Sequence, residues 1–247
     1  SGPSLNDHPI HQLRMVGAYT MGVNNSWSLY KPTFWTCADD PSRFMSSGWL
    51  DPRIIKFVPK GKEKKRLRKK KDGEFKETDI TPIDCPGTLF YGRNLNFNPK
   101  TFLHEETANW GCSGKSEDVL GISGARSVML SAIKLSYYLG FRRINLLGCD
   151  FKMGNKGWNY AFRQARTSNA IKGNNDSYQS NIKRFEALKP YFEEAGLEVY
   201  NCNPDSHNKV FPYRSFRDCL DVFRKKLPAE EDSFGWYDKE KKVQSGK

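Results

Sequence analysis

The sequence predicts an α/β fold built on a doubly wound, mostly parallel sheet. Strand-like and helix-like segments alternate along the chain, and glycines such as Gly140 and Gly196 follow the predicted helices. Polar residues collect where predicted strands end, as at Asp39 and Asp150. Because open α/β sheets bind ligands at the carboxyl ends of their strands, we expect a Rossmann-like domain with a ligand at that edge.

The first part of the chain carries apolar, β-branched and aromatic runs that are typical of strands. These runs predict strands at residues 13–23, 33–38 and 54–59, with a short helix at residues 42–49. A small-residue turn, Gly2-Pro3-Ser4, precedes all of them. A turn of this kind usually follows a strand, and that first strand either lies outside this sequence or is supplied by another segment.

Residues 60–116 are predicted to form a basic insertion, partly ordered and partly a lid or an acceptor-facing loop. Apart from Gly61, Glu63 and Leu67, every residue from 60 to 71 is lysine or arginine. This run is either a solvated loop or an electrostatic contact to a polyanion such as DNA, RNA or an acidic surface. It would supply affinity without reading a sequence.

The second half of the chain shows helical periodicity interrupted by short apolar runs. The predicted helices are residues 127–139, 181–195 and 213–226, and the predicted strands are residues 144–147 and 197–202. A Ser123-Gly124 turn is expected to open the first of these helices, and residues 163–175 are expected to form a polar loop.

The predicted domain organisation follows from these segments. Residues 1–59 and 117–227 are expected to form a single nucleotide-binding α/β domain, which the insertion at residues 60–116 interrupts. Residues 228–247 are highly charged, and we expect them to form a loose tail.

The bulk composition is that of a polar globular protein. The 247-residue chain has a net charge of +12 and 37% hydrophobic residues, with a mean hydropathy of −0.73. It lacks the run of about 18 apolar residues that marks a transmembrane helix. Its six cysteines are scattered without a CxxC pair, which favours reduced thiols in a cytoplasmic protein over a disulfide framework or a zinc site.

An anion-binding cradle is one candidate site. Ser123, Gly124 and Arg126 would combine free backbone N–H groups at a helix start with a hydroxyl and a cation, a combination that suits phosphate. The alternative is an N-cap serine beside an exposed arginine. Ser4, in the turn that begins at Gly2, is a second possible donor to a phosphate or a ribose, although such turns are also common in ordinary loops.

The adjacent carboxylates Asp39 and Asp40 follow a predicted strand. Such a pair could ligate Mg²⁺ or Mn²⁺, but Asp40 could equally cap the following helix. Capping, or contact with a base or ribose, is the favoured interpretation.

Three further side chains could take part in a transfer reaction. Tyr160 could donate its phenol to a departing phosphate, and Lys152 could offset the same charge with its ammonium group. Asp176 follows a Gly-Asn-Asn turn, so it is either a helix cap or a general base that reaches into the cleft.

A wider pattern connects several of these residues. Gly2-Pro3-Ser4-Leu5 is followed by Asn24, by the Ser123-Gly124 turn, by Gly148-Cys149-Asp150-Phe151 and by Tyr160. In this order the motifs resemble those of the bacterial sialyltransferases of glycosyltransferase family forty-two, and those of the related 6-hydroxymethylpterin diphosphokinase-like proteins. Each motif is short, so the resemblance depends on their order and spacing.

The resemblance implies a GT-A-like variant of the Rossmann-like fold and an inverting glycosyltransferase with its nucleotide at the carboxyl edge of the sheet. Carried over residue by residue, it implies nucleotide contacts from Ser1, Gly2, Ser4, Asn24, Asp40, Ser123, Asp150 and Phe151. It also implies that Tyr160 stabilises the departing phosphate.

Two positions depart from the family's pattern. Lys152 stands where the family has its first phosphate-binding tyrosine, and Asp176 stands near the place of its catalytic histidine. A carboxylate can act as the base for a hydroxyl acceptor, so inversion remains compatible with the sequence. A CMP-sialic acid donor does not carry over, and we expect a CMP- or UDP-type nucleotide sugar, with a divalent metal possible but not required.

Three hypotheses therefore follow from the sequence. The leading one is a nucleotide-sugar-dependent glycosyltransferase acting on a hydroxyl of a glycan or of a hydroxymethylated base in DNA. The second is a metal-dependent diphosphokinase on a small alcohol, with Asp39 and Asp40 as metal ligands. The third is a non-catalytic nucleic-acid-binding protein on a transferase scaffold.

Overall fold

The computed structural model describes residues 2–154, 159–162 and 166–223 of the chain. Ser1 and the predicted tail at residues 228–247 lie outside these described residues. Within them the fold is mixed α/β with a mostly parallel central sheet, compatible with a Rossmann-like arrangement. None of the described helices is both long enough and apolar enough to cross a bilayer.

The described residues form ten strands and five α-helices. In chain order the strands are β1 (Met21–Val23), β2 (Phe34–Thr36), β3 (Ile55–Pro59), β4 (Arg68–Lys71), β5 (Glu74–Glu77), β6 (Thr88–Tyr91), β7 (Arg93–Asn94), β8 (Ala108–Asn109), β9 (Arg143–Leu146) and β10 (Glu198–Asn201). The helices are α1 (Gln12–Met15), α2 (Ser46–Trp49), α3 (Val128–Tyr138), α4 (Ser168–Glu194) and α5 (Phe216–Asp221).

The parallel strands are divided between two sheets. Four of them form the central sheet, in the order β1-β2-β3-β6, whereas β9 and β10 form a separate parallel pair. The central register aligns Met21 with Phe34 and Phe34 with Ile55. The remaining pairs are an antiparallel hairpin, β4–β5, and the short parallel pair β7–β8. The single sheet predicted from the sequence is thus split between β1 and β9.

An aromatic cluster packs against the central sheet, and we call it the tryptophan core. Its buried members are Trp27, Trp35, Cys37, Phe44, Trp49, Ile54, Val58, Leu67 and Cys85. Trp27 and Trp35 stack with their ring centroids 4.0 Å apart. The helix α2 can approach Trp27 only because residue 48 is glycine, since a Cβ there would lie 2.2 Å from the indole.

A second cluster, the α3/α4 core, joins those two helices to β9 and β10. Its buried members are Phe97, Phe102, Leu103, Leu130, Ile133, Leu146, Phe185, Leu188, Phe192, Leu197, Val199 and Phe211. The α3 face follows from the helical spacing read in the sequence, and Ser127 caps the helix by accepting a hydrogen bond from the backbone N–H of Met129 at 3.2 Å.

The segment predicted as an insertion, residues 60–116, has two different parts. The exposed hairpin β4–β5 stands out from the domain. By contrast, β6 pairs with β3 inside the central sheet, and Phe97, Phe102 and Leu103 are buried in the α3/α4 core. The predicted insertion is therefore corrected to the hairpin and its approaches, because the apolar residues that follow complete the sheet and the core.

Several predicted boundaries also change. Residues 13–23 were expected to form one strand, but they contain most of α1 and only the short β1. The helix expected to open at Ser123-Gly124 begins at Val128, because Gly124 and Ala125 adopt positive φ values of 62° and 48°. The last described helix begins at Phe216 instead of residue 213 and ends at Asp221, while residues 224–226 of the predicted helix lie outside the described residues.

The largest correction concerns α4. Residues 163–175 were expected to form a loop, but α4 begins at Ser168 and continues to Glu194. Its cap is Thr167, whose Oγ1 accepts from the backbone N–H of Ala170 at 3.3 Å. The side-chain amide of Asn175 makes two hydrogen bonds to the backbone of Met153. Its Oδ1 accepts from the Met153 N–H at 2.8 Å, and its Nδ2 donates to the Met153 carbonyl at 3.0 Å. These tertiary contacts stabilise a helix where local propensity favours a loop.

Candidate functional site

A cavity of about 980 Å³ lies between β1 and β9. Its polar end is formed by residues that follow the strands: Asn24 comes directly after β1, Asp39 comes after β2, and Phe151 comes after β9. The carboxyl ends of parallel strands meet at one edge, where α/β proteins bind ligands. The cavity therefore reaches the edge of the sheet at which the sequence predicts a ligand.

Two arginines lie against Trp110, and one of them, Arg126, lines the cavity with it. Arg126 precedes α3 and lines the polar end, and its guanidinium carbon lies 5.3 Å from the ring centroid of Trp110. Arg93 lies 4.2 Å from the same ring. The indole thus sits against two cations. Burial lowers the pKa of Arg93, and the charge of Arg126 acts in the same direction. An anion bound beside Trp110 would relieve that repulsion.

Arg166 is a further cation among the residues that line the cavity. Arg166 donates through Nε to the phenol oxygen of Tyr160 at 3.0 Å, and its guanidinium lies 5.4 Å from the Tyr160 ring centroid. The Tyr160 ring stacks on Phe162 with centroids 5.3 Å apart. Both Tyr160 and Arg166 line the cavity. The arginine orients the phenol and leaves its proton free to be donated.

The helix α4 contributes a polar face to the same cavity. Asn174, Ser177, Tyr178 and Asn181 follow the i, i+3, i+4, i+7 spacing, and all of them line it. Burial raises the pKa of Tyr178 to about 12, with the neighbouring Tyr160 as the next cause. The Tyr178 phenol is therefore neutral at physiological pH and acts as a hydrogen-bond donor. Its ring contacts Phe151, with centroids 5.4 Å apart.

Asp150 holds the amino-terminal turn beside the cavity. Its carboxylate accepts from the backbone N–H of Ser4 at 3.2 Å, from the Ser4 hydroxyl, and from Asn203 Nδ2 at 2.7 Å. The backbone N–H of Gly2 donates to the carbonyl of Gly148 at 2.6 Å. A Cβ at Gly2 would lie 2.1 Å from Asp150 Oδ2, so only glycine permits this approach.

Four of the predicted site residues meet at the cavity: Asn24, Arg126, Phe151 and Tyr160. Asn24 and Phe151 have positive φ values of 50° and 55°, which are uncommon for residues other than glycine and are often found at functional sites. The Asn24 Oδ1 atom is buried without a hydrogen-bond partner in the described part of the chain. It is therefore available to a donor on a ligand.

The other predicted residues lie apart from this group. Gly2, Ser4 and Asp150 form the adjoining hydrogen-bond network, and Ser1 lies outside the described residues. Asp40 caps a short helix by accepting from the backbone N–H of Ser42 at 3.0 Å. The Ser123-Gly124 turn packs towards α4, and the Gly124 N–H is taken by the carbonyl of Ser113 at 3.3 Å. The Gly124 N–H, one of the donors predicted to bind a phosphate, is therefore already used within the protein.

Lys152 and Asp176 are both exposed, and neither is among the residues that line the cavity. Asp176 was expected to cap a helix or to act as a general base. It lies instead within α4, two residues before Tyr178. Two residues correspond to about 200° around a helix, so Asp176 projects from the opposite face.

The possible metal ligands Asp39 and Asp40 each have a partner within the protein. Asp39 forms an exposed ion pair with Arg43 at 3.3 Å, while Asp40 serves as the cap described above. Within the described ranges, no group of three or more His, Cys, Asp or Glu side chains is placed to hold a metal ion.

Four contributors were not identified from the sequence: Trp110, Arg166, Tyr178 and Asn203. Trp110 lay in the predicted insertion, and Tyr178 lay between the predicted loop at residues 163–175 and the predicted helix at residues 181–195. A usable signal was present for Tyr178, because it follows Asn174 by four residues and precedes Asn181 by three. Arg166 lies in a polar stretch where no local pattern distinguishes it from its neighbours.

Comparisons of this chain with protein-family models, with curated proteins and with solved structures return no match.

Proposed function

We propose that this protein is a nucleotide-sugar-dependent glycosyltransferase on a doubly wound, GT-A-like scaffold. The observation that supports the proposal best is the convergence of Arg126, Arg166 and Tyr160 at the carboxyl ends of β1 and β9. Two cations and a phenol suit the phosphates of a nucleotide. The aromatic rings of Phe151 and Tyr178 at the same end suit a base or a sugar ring.

In the proposed reaction, the acceptor hydroxyl oxygen bonds to the anomeric carbon of the donor sugar as the bond from that carbon to the phosphate oxygen breaks. The hydroxyl proton passes to water. Negative charge then develops on the phosphate. The Arg166 guanidinium and the Tyr160 phenol, 3.0 Å apart, would stabilise that charge together. Tyr178 would donate a further hydrogen bond because its phenol stays protonated.

The acceptor would be a hydroxyl of a glycan or of a hydroxymethylated base in DNA. The exposed basic hairpin β4–β5 favours the polyanionic acceptor, because a cluster of lysines attracts phosphates at long range. Asp176 is left out of the reaction, since it lies on the face of α4 opposite Tyr178.

The proposal is tested by thermal denaturation of the protein with CMP, UDP, GDP, ADP and their sugar conjugates at millimolar concentration. A bound nucleotide raises the melting temperature by mass action. Arg126→Ala and Arg166→Ala should each reduce that rise, whereas Arg217→Ala, at an exposed position that does not line the cavity, should preserve it. If no nucleotide raises the melting temperature, the protein is not a transferase of this kind.

The same experiment separates the diphosphokinase alternative. That activity needs ATP and a divalent metal, so its signature is a shift with ATP and Mg²⁺ that EDTA abolishes. Asp39→Asn would abolish it as well. A shift that a nucleotide sugar produces in the presence of EDTA supports the glycosyltransferase instead.

A further inference from the structure

Two parallel strands present unpaired edges to the same cavity. β1 ends the four-stranded sheet, where it pairs only with β2, and β9 pairs only with β10 among the described strands. The amino ends of the two strands adjoin, because Tyr19, two residues before β1, and Phe141, two residues before β9, have ring centroids 5.6 Å apart. Asn24 and Phe151, which follow the strands, both line the cavity, so the two strands run in the same sense. Unpaired parallel edges leave backbone N–H and C=O groups without partners.

The lining residues show that the cavity lies at these edges rather than over a sheet face. Successive side chains of a strand point to opposite faces, so a cavity above one face contacts alternate residues. Here every residue of β1 and every residue of β9 lines the cavity. Gly22 lines it without a side chain. The space is therefore a slot between the strands.

One face of this slot is covered by α3, which contributes Met129, Ala132 and Ile133. Ile133 belongs to the α3/α4 core, together with Leu146 of β9 and Val199 of β10. This core therefore lies on the same side of the two-stranded sheet as α3.

The opposite face is covered by α5, which contributes Phe216 and Cys219. Cys202, three residues after Val199, points to the other side of that sheet, and its Sγ lies 3.5 Å from Cys219 Sγ. The slot is thus covered by apolar side chains on both faces and is bordered by strand backbone on both sides. A central strand of a parallel sheet has the same surroundings.

The backbone of Gly2 marks one end of the slot. Its N–H bonds to the carbonyl of Gly148, just beyond the carboxyl end of β9, at 2.6 Å. A polypeptide that leads into Gly2 from this slot would run towards the carboxyl ends of its neighbours. It would therefore be parallel to both β1 and β9.

We propose that the slot is the docking site of an extended, apolar β-strand of about five residues that continues into Gly2. The docked strand would pair with both free edges and give one parallel sheet, ordered β6-β3-β2-β1-docked strand-β9-β10. A parallel strand buried on both faces is an unbroken apolar run, rich in valine and isoleucine. This inference does not rest on the proposed function, whose nucleotide occupies the polar end of the cavity.

The test compares the chain with two extended forms. One carries Lys-Val-Ile-Val-Val-Ala before Ser1, and the matched control carries Lys-Val-Pro-Val-Pro-Ala, which is also apolar but lacks backbone donors. The first extension should raise the melting temperature by about 5 °C or more, because buried apolar side chains and new backbone pairs stabilise the folded state. The proline form should melt with the unextended chain.

A second measurement reports on the slot itself. Anilinonaphthalene sulfonate should fluoresce with the unextended chain and with the proline form, and should lose that fluorescence with the apolar extension. Ala132→Trp, which fills the slot from α3, should cancel the gain from the extension. Val119→Trp, at an exposed position outside the lining, should leave the gain intact.

Several outcomes overturn the inference. An apolar extension that changes neither the melting temperature nor the dye fluorescence shows that the slot does not take a strand. Equal effects of the two extensions show that apolar bulk, and not strand pairing, is what the slot accepts. A dimer in sedimentation that persists after extension shows that a second copy occupies this face.

Discussion

Arg184 is a fully buried cation that organises the loop that precedes α3. Its side chain and that of Asp118 are both 0% exposed, and they pair at 2.9 Å. Arg184 also donates to the carbonyls of Ala125 at 2.7 Å and Gly124 at 3.2 Å. These bonds hold the turn before Arg126 and so position a cation of the candidate site.

Arg184→Met should therefore lower the free energy of unfolding by about 3–5 kcal/mol, because it leaves the Asp118 carboxylate buried without its partner. The measurement is urea denaturation followed by far-ultraviolet circular dichroism. Lys189→Met is the matched control on the same helix, since Lys189 forms only an exposed pair with Glu193 at 4.0 Å. That change should cost no more than about 0.5 kcal/mol. Equal effects would contradict the structural role of Arg184.

Asp51 gives a prediction about pH. Arg53 donates to its carboxylate through Nη2, Nε and the backbone N–H, at 2.8, 2.9 and 3.0 Å. These hydrogen bonds hold the pKa of Asp51 well below its usual range. The unfolded chain, with an aspartate pKa of about 3.9, therefore binds the proton first as the pH falls.

The contribution of Asp51 to stability is fully present above about pH 4 to 5 and is lost as the pH falls towards the folded-state pKa. Asp51→Asn should flatten the decline of the urea midpoint between about pH 5 and pH 3. Asp79→Asn, at a side chain that is 99% exposed, should keep the decline of the unaltered protein. A parallel decline for Asp51→Asn would rule out this account.

The hairpin β4–β5 is the element that carries the clearest excess of positive charge. Leu67, 1% exposed, anchors its base in the tryptophan core. All four residues of each strand are exposed. The cross-strand register places Glu77 opposite Arg68 and Glu74 opposite Lys71. Three other strand cations, Lys69, Lys70 and Lys76, lack a directly opposed carboxylate.

Replacement of Lys64, Lys65, Lys69 and Lys70 by glutamine should weaken binding to a duplex DNA oligonucleotide. Each phosphate contact that is lost should reduce the slope of log K against log salt concentration by about 0.9. The control for net charge replaces four exposed lysines outside the hairpin by glutamine and should change the slope less: Lys100, Lys172, Lys183 and Lys189. An unchanged slope in the hairpin variant would remove the hairpin as the polyanion contact.

The elements differ in how well their sequences predict them. The strands β2, β3, β9 and β10 and the helix α3 follow from local patterns, because each carries its own apolar run or helical stripe. The amino-terminal half of α4 does not, because Gly173, Asn174 and Asn175 favour a loop until the contacts with Met153 stabilise the helix. β6 was missed because its partner β3 is distant in sequence.

The residues of the candidate site also differ in how well the sequence predicts them. Asn24 and Phe151 were predictable because they directly follow strands, whose carboxyl ends define the ligand edge. Trp110 and Arg93 were not, since they reach the site only through the folding of residues 88–112 onto the sheet. Asp176 was expected just before a helix, and that position was wrong because α4 already begins at Ser168.

At the scale of the molecule, the slot divides the fold into two halves with separate cores. The tryptophan core includes residues of β2 and β3, and the α3/α4 core includes residues of β9 and β10. Backbone pairing between β1 and β9 is absent among the described strands. Cooperative unfolding requires that the halves share contacts.

The unextended protein should therefore unfold in urea with two transitions that do not coincide. Tryptophan fluorescence reports on the first half in a background where Trp110, Trp158 and Trp236 are phenylalanine, because Trp27, Trp35 and Trp49 lie in the tryptophan core. Far-ultraviolet circular dichroism reports mainly on α4. The apolar extension at Ser1 should bring the two transitions together, and transitions that already coincide without it would refute the division.

The bond network of Asp150 also has a consequence for biosynthesis. Ser4 and Asp150 are separated by 146 residues, which a ribosome adds in roughly 7–30 s at about 5–20 residues per second. Throughout that interval the amino-terminal turn has been translated but its acceptor has not. The strands β1, β2, β3 and β6 can meet earlier, since all of them lie within residues 21–91. The amino-terminal turn can therefore take its folded position only after Asp150 has been translated, although the turn is the first of these parts to leave the ribosome.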